Sequence, residues 1–249
     1  SESPKSEPEK VDKAMAQCYA QNRIQIVYNW CEVIVLSRKD EAYRYLRNAI
    51  VTNRYPQNAP ISEMAVSEEL GMSRTPIREA MRGVEREGLI VSYPARGSFV
   101  TPITPYDVEE IYELRVLLEV WALGRSFSRI TPAELDHLEE MFRQGYERSD
   151  WELLHEGDRS LHGLITEKAG SKRLLEFISV LNAQIERIRS ASALDKNRSS
   201  LSYEEHLEII RCIRAGDREK SLRALRAHLR SVANSAIESA KYNEVNGKY

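Results

Sequence analysis

From about residue 40 onward, apolar residues recur every three or four positions along this chain, the period of helices with one buried face. Ala42, Tyr45, Leu46, Ala49 and Ile50 share one face of a helix expected from about Asp40 to Asn53. Ile61 to Leu70 reads as a short helix with Ser62 as its cap, stopped at Gly71, a residue that tolerates left-handed backbone angles. Another helix starts near Ser73. Its Pro76 falls in the first turn, where no amide hydrogen is needed, and Met72, Ile77, Met81 and Val84 repeat at core spacing. After Gly88 the period changes. Leu89 to Val91 and Phe99 to Val100 are expected as short strands, joined by a turn that contains Pro94 and Gly97 and carries Arg96 at its tip.

The remainder reads as helix throughout. Thr101-Pro-Ile-Thr-Pro105 is a stiff linker, and Tyr106 to Arg125 follows with Val108, Ile111, Leu114, Leu118 and Trp121 at helical spacing. Thr131-Pro132 opens the next helix with a cap residue and a proline at the first position. Further helices are expected at 150–169, 172–194, 202–215 and 217–241, broken by Gly170, by Asn197 to Ser200 and by Gly216-Asp217. Six helices without a strand make an antiparallel bundle over 103–241, followed by a tail at 242–249. The fold class is therefore mainly α, with a small β wing in a unit spanning 37–102. Residues 1–36 form an extension. Ser1 to Lys13 is charged and expected to be disordered. Met15 to Leu36 carries Ile24, Val27, Tyr28, Trp30, Ile34 and Val35, and is expected as an extra helix against the winged unit or a partner subunit.

Composition narrows the function classes. With 249 residues, 42% apolar and 30% charged, the chain can fill two modest soluble domains. The longest apolar stretch, Ile24 to Leu36, is interrupted by Gln25, Asn29 and Glu32 and is too short to cross a bilayer, so no membrane role is expected. Cys18, Cys31 and Cys212 show no paired spacing, which argues against a disulfide framework or zinc ribbon and for a reducing cytoplasm. The net charge of −2 is an average: residues 38–100 hold 10 Lys+Arg against 8 Asp+Glu, and residues 103–240 hold 20 against 24. The small positive excess falls on the winged unit, where Arg74, Arg78, Arg82 and Arg86 stand at four-residue steps along one helix. Glu79, Glu85 and Glu87 offset the last two, leaving Arg74 and Arg78 free to meet phosphates or base edges. Charge runs are ordinarily solvated faces. Here the run follows a helix and a tight turn, which makes a winged helix-turn-helix, a motif whose second helix presents its N-terminal residues to the major groove.

The bundle carries a second set of candidate residues. Asp158 and His162 share one helical face, and His206 and His228 occupy inward-leaning positions on the last two helices. Three imidazoles and one carboxylate can hold a first-row metal ion. Any single histidine is ordinarily a surface group or a hydrogen-bonded core group, and His137 and His155 fit that description. For the other three, buried neutral rings without partners are unfavourable, and a shared cation would satisfy them together.

At the level of motifs, Leu70-Gly-Met-Ser-Arg-Thr-Pro-Ile-Arg-Glu-Ala-Met81, Glu87-Gly-Leu-Ile90 and Arg96-Gly97 closely resemble the DNA-binding signature of the GntR family of bacterial transcription regulators. Just upstream the family's Gly-x-Leu-x-Pro-Gly turn is replaced by Asn53-Arg-Tyr-Pro-Gln-Asn58. The pattern Asp158-x-x-x-His162, Glu205-His206-Leu207, Gly216-Asp217 and His228-Leu229 is similar to the FCD effector domain of the FadR-type subgroup. Leu161 and Ser171 depart from its usual Phe and Asn. The resemblance implies that Ser73, Arg74, Thr75 and Arg78 approach a double-stranded DNA operator, with Arg96 and Gly97 reaching the minor groove. It further implies that Asp158, His162, His206 and His228 bind a divalent metal (zinc, nickel or manganese), that a small carboxylate effector completes the shell, and that the protein works as a homodimer. Arg115 resembles the family's pocket arginine, whose fork suits a carboxylate; a surface salt bridge to Glu119 is its other reading.

Two competing functions have different signatures. A metal-dependent hydrolase needs a general base beside an open coordination position. Glu205 is the only acidic neighbour of a candidate ligand in sequence, and one helical step points it about 100° away. No Gly-x-Ser-x-Gly motif occurs, so an enzyme is not expected. A bundle binding a large apolar or acyl ligand without metal would have no need of the four donors.

Overall fold

The computed structural model describes residues 26–29, 32–35, 37–192 and 196–245. Helix α1 (Arg38–Val51) begins where the Ser37 side chain accepts from the Asp40 amide, and it buries Ala42, Leu46, Ala49 and Ile50. Helix α2 (Glu63–Leu70) is capped by Ser62 and ended by Gly71 at φ 58°. Helix α3 (Arg74–Arg86) turns Ile77, Ala80, Met81 and Val84 inward and its arginines outward. Strands β4 (Ile90–Tyr93) and β5 (Gly97–Val100) form the wing, and β3 (Pro60–Ile61) adds to it in the antiparallel order β3-β5-β4. Phe99 is the hinge of that register, facing Pro60 on one side and Val91 on the other. Strand β3 has only two residues, too few to leave a period in the sequence. The turn before it holds Asn53 and Asn58 at φ 60° and 63°. Both stand where the turn of the family that the sequence resembles has glycine, and asparagine is among the few residues that tolerate this left-handed region.

Six helices follow: α4 (Pro105–Ser126), α5 (Pro132–Arg148), α6 (Trp151–Lys168), α7 (Lys172–Ser192), α8 (Lys196–Arg214) and α9 (Arg218–Val245). Helices α4 and α5 each open on a capping box, Thr104 with Asp107 and Thr131 with Glu134, and each has proline in its first turn. Their core joins Leu123, Phe142, Leu161, Ile165, Ile209 and Leu229 from five helices.

Three expectations are corrected. The apolar extension expected as a helix holds an antiparallel pair, β1 (Ile26–Asn29) with β2 (Glu32–Val35). Its Ile, Val and Tyr residues are branched at Cβ or aromatic and fit a pleated strand better than a helix. The expected disorder of Ser1 to Lys13 lies outside the described residues. Second, Asn197 to Ser200 does not break the bundle: α8 starts at Lys196, and the ion pair from Arg198 to Glu205 at 2.6 Å ties its first turns together. Third, Leu114 and Trp121 on α4 are 44% and 49% exposed, whereas Tyr112, Arg115, Glu119 and Ala122 face inward. The helix is thus rotated from its apolar stripe so that a charged pair points into the core.

Helix α7 belongs to both halves of the molecule. Ala183 is part of the winged unit's core, Gln184 Nε2 donates to the Glu87 carbonyl at 2.6 Å, and Arg187 donates to Thr101 Oγ1 at 2.9 Å and to the Thr101 carbonyl. Arg187 is buried, which pulls its guanidinium pKa down to about 10. Elsewhere the bundle depends on close approach: a Cβ on Gly145 of α5 would stand 2.9 Å from Leu154 Cγ and 3.1 Å from the Leu154 amide nitrogen of α6, whereas one on Gly163 would meet nothing within 4 Å. Gly145→Ala is expected to destabilise the protein by about 1–3 kcal/mol through overpacking. Gly163→Ala is expected to stabilise it by roughly 0.5–1 kcal/mol through helix propensity. Urea unfolding of both variants beside the parent checks the opposite signs.

Candidate metal centre and nucleic-acid interface

In α6 the Asp150 cap and the helix that follows put Asp158 and His162 one turn apart, facing the bundle interior. Helices α8 and α9 bring His206 and His228 to the same point, and one ligand atom from each of the four residues lies within 4.8 Å of all the others. Donors on one ion, with bonds of about 2 Å, are separated by roughly 3–4 Å, so only side-chain adjustment is required. His206 Nε2 is 3.3 Å and His162 Nε2 is 3.7 Å from Asp158 Oδ1. The three imidazoles are buried. Among the described residues His162 Nε2, His228 Nε2 and both ring nitrogens of His206 have no hydrogen-bond partner. A buried polar atom left so is unfavourable unless something outside the chain meets it, and an N3O donor set converging on one point fits a divalent cation.

Two carboxylates account for the ring orientations. Glu119 Oε2 lies 2.5 Å from His162 Nδ1, and Glu119 Oε1 accepts from Arg115 Nε at 2.6 Å. Glu205 Oε2 lies 2.8 Å from His228 Nδ1 and 2.6 Å from Arg198 Nη2. Each chain runs arginine, glutamate, histidine. With Nδ1 engaged by a carboxylate, the proton sits on Nδ1 and the Nε2 lone pair is left for a metal. Burial raises the Glu119 carboxyl, but Arg115 and His162 outweigh it and bring it to about 2. Burial likewise opposes ionisation of Asp158, and Arg189 with the imidazoles of His162 and His206 holds it well below the usual carboxylate range. Burial pushes His206 down, and it pushes His228 to about 3 with the help of neighbouring His206. At neutral pH those two rings are uncharged, the state in which imidazole ligates.

Arg115 is 2% exposed and salt-bridged to Glu119 inside the bundle rather than on its surface, and its Nη1 has no hydrogen-bond partner among the described residues. Two cavities flank the tetrad. One, of about 110 Å³, is lined by Asp158 and His206 together with Tyr112, Phe142, Arg198 and Tyr203. The other, of about 300 Å³, is lined by Asp158, His162, Arg115 and Glu119 and reaches Arg47 and Arg159. Sequence reasoning missed Glu119, Glu205 and Arg189 as site residues. Glu205 points away from its sequence neighbour His206 and meets His228 on the neighbouring helix. His155 lines the smaller cavity beside the tetrad, and His137 is exposed.

On the winged unit, Ser73, Arg74, Thr75 and Arg78 are exposed at the start of α3, and Arg96 and Gly97 are exposed at the wing tip. Ser73 is the N-cap residue but makes no side-chain cap hydrogen bond. Arg78 is not unpartnered: its Nε and Nη2 each donate to Glu63 of α2 at 3.0 Å. The wing turn places Ala95 at φ 60° and Gly97 at φ 94°, with the Arg96 guanidinium 5.6 Å from the Tyr93 ring. Among the described residues no helix is long and apolar enough to cross a membrane.

Comparison with known proteins agrees with both halves. Residues 38–100 match the model of bacterial regulatory proteins of the gntR family, and residues 110–231 match the FCD domain. The HTH-type transcriptional repressor RspR of Escherichia coli K12 is 29% identical over 206 residues, covering 82% of this chain and 90% of its own. A GntR-type transcriptional regulator from Rhodococcus sp. RHA1 superposes with a TM-score of 0.70 at 20% identity, over 82% of this chain and 99% of that one. McbR/YncC of E. coli does so with 0.70 at 22%, over 84% and 100%. These two share the fold. With both family models matched in order along most of its length, the chain belongs to the GntR family and is a transcriptional regulator that joins a DNA-binding winged helix-turn-helix to an FCD domain.

Proposed function

We propose that this regulator is a metal-dependent sensor of small organic acids, acting as a cytoplasmic homodimer and not as an enzyme, with residues 37–102 holding the operator and 103–241 the metal and effector. The observation that carries this reading is the convergence of buried imidazole nitrogens, without protein partners, beside one ionised carboxylate. Asp158, His162, His206 and His228 would hold the cation, zinc, nickel or manganese, and the cation would supply a Lewis-acidic point for an effector carboxylate. Arg115 Nη1, buried and unpartnered on the wall of the larger cavity, would take a second oxygen of that carboxylate. Glu119 and Glu205 would keep His162 and His228 in the ligating tautomer. Glu205 is engaged by His228 and Arg198, an arrangement that suits orienting a ligand rather than activating water. A ligand that binds one arrangement of the bundle better than another shifts the equilibrium between them, and α7, seated in the core of the winged unit, would carry that shift to the DNA.

At the operator, Ser73, Arg74, Thr75 and Arg78 would face the major groove, with Arg96 and Gly97 in the minor groove. Arg78 would exchange its Glu63 partner for phosphate or a base edge. Arg74→Ala and Arg78→Ala are expected to weaken operator binding, and each change that removes a phosphate contact should lower the salt-dependence slope by about 1. Anisotropy titrations at several salt concentrations read both quantities, and variants with unaltered affinity would remove these arginines from the interface.

For the sensor, zinc is expected to raise the unfolding temperature of the parent protein and to leave that of His206→Ala unchanged, because a ligand stabilises only the state that binds it. The same variant should retain basal operator binding and lose its response to organic acids. Glu119→Gln is expected to weaken metal affinity by roughly 10–100-fold, read by competition with a chromophoric chelator. An effector response that persists in metal-free protein would overturn the reading.

A further inference from the structure

The larger cavity is not confined to the sensor. Asp158, His162 and Arg115 line its inner part, and the same cavity is lined by Arg47, which belongs to α1 of the winged unit. Its walls carry four guanidinium groups, on Arg47, Arg115, Arg159 and Arg189, against three carboxylates, on Glu119, Asp158 and Glu186. Two of these guanidinium groups are paired outside that lining, Arg47 with Glu87 and Arg159 with Glu156, so what distinguishes the arginines is how tightly each is held.

The arginines are not equivalent. Arg115 is tied to Glu119, Arg189 to Asp158 and Glu186, and Arg159 to Glu156 at 2.7 Å. Arg47 pairs through Nε with Glu87 Oε2 at 3.3 Å, and its side chain is 30% exposed. Its geometry is long for a charge-assisted bond, which leaves a better acceptor room to compete. Glu87 is the C-cap residue of α3, the helix that carries Arg74 and Arg78. The Glu87 carboxylate also accepts from the Tyr43 hydroxyl, and the Glu87 carbonyl accepts from Gln184 of α7. Whatever engages Arg47 therefore acts on the node that fixes the far end of the recognition helix.

We propose that the effector is a dicarboxylate whose second carboxylate is bound by Arg47, so that one ligand touches the sensor tetrad and the DNA-binding domain together. This rests on the reading that an organic acid binds at the tetrad. The first carboxylate lies at the inner end, beside Arg115 and the tetrad, and the second draws the Arg47 guanidinium from Glu87. The contact would differ between the free and bound states, which is what a switch requires.

The test compares acids matched in length that differ only in a terminal carboxylate or methyl group: malate with 2-hydroxybutyrate, and 2-hydroxyglutarate with 2-hydroxyvalerate. Calorimetric titration into the zinc-loaded full chain is expected to show the dicarboxylate of at least one pair binding roughly tenfold tighter. Arg47→Ala should erase that gap and leave the monocarboxylate's affinity within about twofold, with Arg47→Lys keeping part of the gap. Arg47→Gln serves in place of alanine if the alanine variant fails to fold. Equal binding within both pairs, or a gap that survives both neutral variants, overturns the proposal while the metal-dependent binding of organic acids stands. If none of the four acids binds, both fall.

Discussion

Buried imidazole needs a partner for each ring nitrogen, and this fold supplies partners for only some of them. Glutamates meet Nδ1 of His162 and of His228, and the opposite edges converge with His206 on a single point beside Asp158. A protein interior rarely leaves such groups unmet, because each costs about 1–3 kcal/mol in lost hydration. The arrangement becomes reasonable once a cation is added. It then explains why α4 turns Arg115 and Glu119 inward and leaves Leu114 and Trp121 exposed: the buried ion pair orients His162. The Arg198 to Glu205 pair at the start of α8 serves His228 in the same way.

The tetrad draws on α6, α8 and α9, and the supporting ion pairs on α4, α7 and α8. Drawing donors from several helices couples their spacing to whatever occupies the centre. Helix α7 carries the consequence outward. Arg189 touches Asp158 at one position, and on the same helix Ala183, Gln184 and Arg187 touch the core of the winged unit, the end of α3 and the linker. A displacement of this one helix therefore reaches both the candidate metal site and the base of α3. That is a contiguous physical route between the two sites.

Much of this was legible in the chain. Periodicity showed where most helices of both halves run, and cap residues such as Ser62, Thr104 and Thr131 marked several of their starts. Short elements escaped: β3 has two residues, and the start of α8 is held by an ion pair two turns apart within the helix, Arg198 to Glu205, that no cap residue or apolar stripe announces. The turn at Asn53 to Asn58 departs from the family's glycine pattern in sequence, and both asparagines adopt positive φ, a region that glycine and asparagine tolerate. In the site, the spacing of Asp158 and His162 was readable because it lies within one helix. The roles of Glu119, Glu205 and Arg189 were not, because each acts on a residue of another helix. Arg115 shows the limit most clearly. Its i,i+4 pairing with Glu119 follows from sequence, but whether that pair is solvated or buried depends on the rotation of α4, which only packing decides.

The central claim is that one divalent ion sits among Asp158, His162, His206 and His228. Anomalous diffraction from crystals of zinc-loaded protein, recorded on both sides of the zinc absorption edge, tests it most directly. The account predicts one strong peak per subunit, about 2 Å from the three imidazoles and the aspartate. A protein that crystallises with no peak there, or with zinc bound only at surface histidines such as His137, would contradict it.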